Sequence, residues 1–162
     1  MVFALAGLAL AGACATLQQL VQPPRFSQAA GYSPELRLLP PSRQNPLGGA
    51  GVRLWARVEN PNPLGVSLSH VAGSLFLEDT RAGDVDLPLG LPLRAQADTI
   101  VPLDITVGFG DLPGLARVAQ HLLTASALPY RLDGRFTVDA GALGPFDFGP
   151  ETLLRGQVAV RR

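Results

Sequence analysis

The chain of 162 residues contains no lysine and only one cysteine, one tryptophan and two histidines. All thirteen basic residues are arginine, thirteen acidic residues balance them, and charged residues make up only 16% of the sequence. The arginines form no cluster beyond the last two residues, so the chain lacks the basic surface that is typical of nucleic-acid-binding proteins. We therefore expect no nucleic-acid partner.

The scarcity of histidine and cysteine argues against catalysis and metal binding. Ser69 directly precedes His70, and adjacent residues of a strand point to opposite faces, so these two cannot form a nucleophile–base pair. His121 falls on the polar side of a predicted helix, where we expect water to solvate it. Two histidines without cysteine partners do not make an ordinary zinc site. The sequence predicts a protein that is not an enzyme, with no cofactor, metal or small-molecule substrate.

Two motifs suggest ligand binding more weakly. Four acidic residues surround one predicted turn and indicate either a calcium site or a solvated acidic turn; they are Glu78, Asp79, Asp84 and Asp86. They lack the spacing of a known calcium loop. The segment GFGDLPG (108–114), with Asp133 about twenty residues further on, resembles a dinucleotide fingerprint. However, Asp111 would place a negative charge where the pyrophosphate binds, and Pro113 would remove one of the N–H groups that bind it.

The longest apolar tract lies at the N-terminus. MVFALAGLALAGAC (1–14) is shorter than the about 20 residues that span a bilayer, and it fits the apolar region of a secretory signal peptide. Its end, LAGAC, also resembles the lipobox of bacterial lipoproteins, in which the cysteine becomes lipidated. We predict a signal peptide over 1–13 and lipidation of Cys14. Ordinary secretion and an uncleaved apolar tail are the alternatives.

Because Cys14 is the only cysteine, no intrachain disulfide can form, and the core alone must hold the fold. The segment that follows is rich in proline, glycine, serine and glutamine. We therefore predict a linker over 14–33 and one folded domain over 34–162. A lipidated protein of this kind is expected in the cell envelope, attached to a membrane by its N-terminal lipid.

The folded part is dominated by alternating apolar and polar residues. Such alternation predicts strands over 35–39, 52–59, 66–78, 99–107, 130–138 and 153–160. A change of phase predicts a bulge near His70. An apolar stripe predicts a helix over 112–125, with Asp111 as its N-cap. One-faced strands are typical of antiparallel sheets, so the pattern favours a mainly β fold, an antiparallel β-sandwich with one helix. Four residues are expected in one core between the two sheets: Val58, Leu103, Phe136 and Val158.

The segment ENPNPLG (59–65) interrupts this pattern with two prolines, each preceded by asparagine. Pro61 and Pro63 lack N–H donors and hold the preceding residues in extended conformations. Asn60 and Asn62 can satisfy nearby backbone groups with their side chains. The segment therefore indicates a stiff, protected corner between two strands, with a contact surface for a partner as the alternative.

The order of these segments resembles a known family. VRLWARVE followed by ENPNPLGVSLSHVAGSLFLE, TIVPLDITV and YRLDGRFTV is similar to the WHy (water stress and hypersensitive response) domain of the group 2 late-embryogenesis-abundant proteins. The Asn-Pro-Asn of that family corresponds to Asn60, Pro61 and Asn62. The resemblance covers about residues 34–162, although the acidic LEDTRAGDVDLPLG stands where a hairpin with an apolar second strand is expected. It implies an immunoglobulin- or fibronectin-like sandwich and a non-enzymatic role in tolerance of desiccation and related stresses.

Trp55 lies on the arginine-bearing face of its strand, between Arg53 and Arg57. It either packs beneath the proline-rich N-terminal segment or forms an exposed aromatic anchor for a client protein or membrane. Two functions follow: a module that shields stress-labile client proteins, and a structural or adaptor lipoprotein that binds one specific partner. A shield needs a sizeable exposed apolar surface, whereas an adaptor needs a smaller, shaped one.

Overall fold

Eight strands make up most of the part of the chain that the structure describes. The computed structural model describes residues 21–110 and 114–161. The strands are β1 (Arg25–Gln28), β2 (Glu35–Leu39), β3 (Gly49–Glu59), β4 (Val66–Leu77), β5 (Thr80–Leu93), β6 (Asp98–Gly108), β7 (Ala127–Asp139) and β8 (Pro145–Arg161). One helix, α1 (Leu115–Leu122), lies between β6 and β7, and a 3-10 turn (Gly141–Leu143) precedes β8. The predicted mainly β class is confirmed.

Hydrogen bonds join all eight strands into one sheet. Its order is β1-β3-β2-β8-β7-β4-β5, and β6 pairs along the whole length of β3. The pairs are antiparallel except for β2 with β8, which run parallel. The backbone therefore forms one open, antiparallel-rich sheet.

The core follows from the alternation within the strands. Along β3, the residues Val52, Leu54, Ala56 and Val58 are buried, while the arginines between them are exposed. The four residues predicted to share a core, Val58, Leu103, Phe136 and Val158, belong to one hydrophobic cluster, and each is at most 2% exposed. Apolar burial on this scale is the main favourable term in folding.

Two features of β4 and β5 bear on the acidic segment. The pairing register shifts between Leu68 and His70, as the change of phase predicts. The acidic segment itself forms the long strand β5, for which the sequence analysis made no strand prediction. Its small or apolar residues Ala82 and Val85 are buried, whereas the aspartates near them face solvent. The hairpin between β4 and β5 turns at Glu78 and Asp79, both of which have positive φ.

The segment predicted as a linker is partly folded. Residues Arg25–Gln28 form β1, which pairs with the end of β3. Val21 is only 2% exposed and belongs to the core, and the Ala29 N–H donates to the Trp55 carbonyl at 2.9 Å. The structure thus departs from the prediction of a linker over 14–33, because β3 offers this segment a strand to pair with.

The helix is shorter than the predicted 112–125. Within α1, Val118 and Leu122 are buried against the sheet, and His121 is exposed. The predicted N-cap, Asp111, lies outside the described residues. Across the described ranges, no helix has the length and hydropathy that a membrane crossing requires.

Candidate functional site

The segment ENPNPLG forms a buried polar corner. Among the described residues, Asn60 and Asn62 are the only polar ones with core-like burial, at 0% and 1% exposure. The Asn60 side-chain amide donates to the carbonyls of Leu64 (2.9 Å), Leu93 (3.3 Å) and Arg94 (3.0 Å). One side chain thus satisfies carbonyls from both loops that meet at this corner.

The second asparagine extends the network to the N-terminal segment. The Asn60 Oδ1 accepts from the Asn62 backbone N–H at 3.0 Å and from its Nδ2 at 2.9 Å. Asn62 Oδ1 accepts from the Gln22 N–H at 2.7 Å, while Asn62 Nδ2 donates to the Gln22 carbonyl at 2.9 Å. Asn62 therefore binds the backbone of Gln22 as a neighbouring strand would.

Backbone hydrogen bonds close the same corner. The Asn60 N–H donates to the Ala97 carbonyl at 2.9 Å, and the Gln96 N–H donates to the Asn62 carbonyl at 3.0 Å. We call the segment 60–65, the loop 94–97 and Gln22 together the asparagine corner. Its amides are used within the fold, so Pro63 rather than either asparagine is exposed to a partner.

Trp55 lies on the outer surface of β3 under a second aromatic ring. Its ring centroid is 4.7 Å from that of Tyr32, with an angle of 36° between the planes. Trp55 is half-buried, whereas Tyr32 is 42% exposed. The N-terminal segment therefore covers Trp55 with a side chain that itself faces solvent. Tyr32 was missed by the sequence analysis, although it is the only tyrosine or tryptophan in the predicted linker.

Two ion pairs flank these rings. Arg53 Nε and Nη2 bind the two carboxylate oxygens of Asp104 at 2.6 and 3.1 Å. Arg57 Nε binds Asp98 Oδ2 at 2.8 Å. We call this outer surface of β3 and β6 the aromatic face; it comprises Tyr32, Trp55, Ile100, Pro102 and the two ion pairs. The pairs neutralise its charge, so the face is apolar at its centre and polar at its margins.

The pairing of Arg57 with Asp98 also makes the stability of the protein depend on pH. The hydrogen bond and charge of Arg57 hold the pKa of Asp98 below its ordinary value of 3.8. Because the pKa of Asp98 is lower in the folded than in the unfolded state, its carboxylate stabilises the protein at pH values above the unfolded-state pKa. This contribution is lost as the pH falls through the folded-state pKa. In thermal melts, we expect Asp98→Asn to be less stable than the wild type at pH 6, and we expect this difference to shrink as the pH falls below 3.8. A stability difference that stays constant across this range would contradict the assignment.

The acidic residues near the β4–β5 turn are distributed among separate partners. Glu78 Oε1 lies 2.6 Å from His121 Nδ1, and Asp79 Oδ1 lies 3.1 Å from Arg131 Nη1. The other two pairs are Asp84 with Arg81 and Asp86 with His70. Over residues 21–110 and 114–161, no three metal-binding side chains come together. His121, predicted to be solvated, thus links α1 to the hairpin.

Other residues singled out by the sequence stay apart from these features. Asp133, about twenty residues after the glycine-rich segment, lies within β7 and accepts from the Thr152 hydroxyl at 2.7 Å. Cys14, Asp111 and Pro113 lie outside the described residues. Of the predicted site residues, the structure brings the two asparagines together at one corner and places Trp55 on the sheet surface, away from them.

Comparisons with known proteins agree with this architecture. The model of the late embryogenesis abundant protein family LEA_2 matches residues 56–151, which is more than half of the chain. The solution structure of AT1g01470 from Arabidopsis thaliana has a TM-score of 0.61 and 16% identity, covering 88% of this chain and 85% of that one. At this identity the likeness shows a shared fold.

Two further solved structures are more distant. A late embryogenesis abundant protein, At2g46140.1, has a TM-score of 0.45 and 18% identity over 78% of this chain and 71% of its own. A protein of Archaeoglobus fulgidus has a TM-score of 0.43 and 10% identity over 81% and 98%. No curated protein shows significant similarity to the sequence. On the match over residues 56–151, the chain belongs to the LEA_2 family of late embryogenesis abundant proteins, which indicates a stress-related and non-enzymatic role.

Proposed function

We propose that this protein shields other proteins of the cell envelope from inactivation during drying, freezing or oxidative stress. The observation that carries the proposal is the aromatic face. Tyr32 and Ile100 are 42% and 40% exposed beside the half-buried Trp55. Because its charges are paired, this face can cover a transiently exposed apolar patch of a client without burying an unpaired charge.

We also propose how the single sheet is arranged in space. We take the continuous sheet to fold over itself as an immunoglobulin- or fibronectin-like sandwich of the WHy type. The apolar sides of β3, β4, β6 and β7 supply one core cluster, which supports this arrangement. In addition, a side chain built on Gly83 of β5 would lie 3.7 Å from Val107 of β6, so the two ends of the sheet approach each other. The Asn-Pro-Asn of the asparagine corner supports the WHy assignment.

The location is proposed from the N-terminal sequence. We take Cys14 to be lipidated, which holds the domain on a membrane of the envelope. The apolar tract and the small residues before Cys14 support this. Each buried CH₂ contributes about 0.8 kcal/mol, so one acyl chain gives marginal attachment and two or more give stable attachment.

A protection assay tests the function without a membrane. The chain 14–162 carrying Cys14→Ser should preserve a labile test enzyme through freeze–thaw better than an equal mass of serum albumin. Trp55→Ser should remove roughly half of this protection, because it deletes the ring that supports the aromatic face. The matched control is Leu123→Ser, which removes an apolar side chain that is 66% exposed on a different surface.

The outcomes are distinct. Loss of protection in Trp55→Ser with full protection in Leu123→Ser supports the aromatic face as the contact surface. If the chain 14–162 with Cys14→Ser alone protects no better than albumin, the proposed shielding function is wrong. Equal losses in both variants would mean that exposed apolar area in general, and not this face, provides the contact.

A groove beside the aromatic face favours the second candidate, an adaptor for one partner. It encloses about 220 Å³ and is lined by Leu39, Gly51, the Arg53–Asp104 pair and Thr106, among others. Such a shaped site suits one specific ligand side chain. A stoichiometric envelope partner that binds the wild type and is lost in Gly51→Leu, which fills the groove, would replace the shielding function with this one.

A further inference from the structure

We propose that the short segment from Cys14 to Gln22, here called the tether, holds the domain with its asparagine corner toward the bilayer. The strands run between two ends of the fold. The corner end carries the asparagine corner and the turn 140–144, because Val66 pairs with Leu93 and Ser67 with Asp139. The opposite end carries the turn at Glu78 and Asp79, the loop 40–48 and α1. This inference rests on the membrane attachment proposed above.

The chain enters the fold at a fixed point of the corner end. Both backbone hydrogen-bonding groups of Gln22 are held by Asn62, at 2.7 and 2.9 Å. Val21, the preceding residue, is 2% exposed and packs in the core. The folded domain therefore begins at residue 21, 13 residues earlier than the predicted boundary at residue 34.

The length of the tether limits the distance to the membrane. Eight residue steps separate Cys14 from Gln22, which reach at most about 28 Å when fully extended. A strand of twelve residues, such as β4, extends over about 36 Å. Because the tether attaches at the corner end, that end lies nearest the bilayer, and the opposite end lies about one strand length further away.

The side chains of the corner end suit a position at the membrane surface. At the corner end, Arg25 binds Glu59, and Asp139 accepts from the Gly141 N–H at 2.8 Å. Arg94 and Leu143 are exposed there, and both side-chain types suit a headgroup region.

This orientation determines how client proteins can reach the aromatic face. With the corner end toward the membrane, the aromatic face lies on the side of the domain rather than against the bilayer. Its strands β3 and β6 then run away from the lipid surface. A client protein can reach Trp55 and Tyr32 laterally without displacing lipid.

Energy transfer from labelled residues to the bilayer tests the orientation. The full lipidated chain is reconstituted in vesicles of phosphatidylethanolamine and phosphatidylglycerol that carry an acceptor lipid. A donor dye is attached through Ala142→Cys at the corner end or through Gln44→Cys at the opposite end; both positions are exposed. Ala95→Cys and Arg43→Cys form a second pair that replaces either variant if it fails to fold. We expect about twofold higher transfer efficiency from the corner end, because the two positions differ by about one strand length.

A spacer variant separates the tether from other causes. Insertion of thirty glycine and serine residues between positions 20 and 21 should abolish the difference while the protein stays on the vesicles. Equal transfer from both ends, higher transfer from Gln44→Cys, or an unchanged difference in the spacer variant would each overturn the proposal. Absence of the chain from the vesicles would overturn the attachment together with the orientation. The freeze–thaw assay contains no membrane, so failure of the shielding function is recognised separately.

Discussion

Replacing Asn60 by alanine should lower the free energy of unfolding by about 3–5 kcal/mol, a large fraction of the stability of an ordinary domain. The side chain is fully buried and donates to three carbonyls from two loops. Alanine would leave these carbonyls and the Asn62 N–H without a partner, and each buried orphan costs about 1–3 kcal/mol. Urea unfolding followed by tryptophan fluorescence measures the loss, provided that the slope with urea is unchanged.

The chain supplies a matched control for this variant. Asn45 is the remaining asparagine, and it also precedes a proline. Only its backbone N–H and carbonyl, not its side chain, form hydrogen bonds within residues 21–110 and 114–161. Asn45→Ala should therefore change stability by less than about 0.5 kcal/mol. If both variants lose the same stability, the effect comes from the residue before proline in general, and the buried network is not its cause.

Asn62 should behave as a coupled part of the same network. It accepts from and donates to Gln22 and also donates to Asn60. Because the two asparagines share hydrogen bonds, the double variant should lose less stability than the sum of the two single variants. This coupling distinguishes one corner from two independent caps.

The sequence predicts a stiff corner at this segment, but it does not predict which residues the two asparagines contact. The prolines indicate an extended segment, and asparagine side chains commonly satisfy nearby backbone groups. However, the partners Leu93 and Gln22 are 33 and 40 residues away along the chain. Local propensity contains no information on contacts at that separation. The same limit explains Tyr32, whose position over Trp55 depends on the pairing of β1 with β3.

The faces of the strands were predictable, but their partners were not. Alternation in β3 and β6 correctly separates buried from exposed residues, because a period of two places every second side chain on one side. It does not predict the parallel pairing of β2 with β8, which joins all strands into one sheet. The strand β5 was missed because its aspartates, glycines and prolines are typical of turns, although its apolar residues face the core. Burial against neighbouring strands outweighs these weak local preferences.

Gly134→Ala should destabilise the protein by about 3 kcal/mol or more, since β4 and β7 approach too closely for a side chain. Gly73 and Gly134 are direct partners in this pair of strands. A Cβ on Gly134 would lie 2.4 Å from the Ala72 carbonyl oxygen, and one on Gly73 would lie 2.1 Å from that of Asp133. Both neighbours are backbone atoms within the sheet, so relief requires the strands to separate.

The matched control for this variant is Gly83→Ala on the adjacent strand β5. Its Cβ would meet only the methyl groups of Val107, at 3.7 and 3.8 Å, which is ordinary contact. Alanine at such a site restricts the unfolded chain, so this variant should be neutral or more stable by up to about 1 kcal/mol. Thermal melts of both variants measure the difference. If Gly134→Ala has the same melting temperature as the wild type, β4 and β7 are further apart than described. The facing glycines then do not set the spacing between these strands.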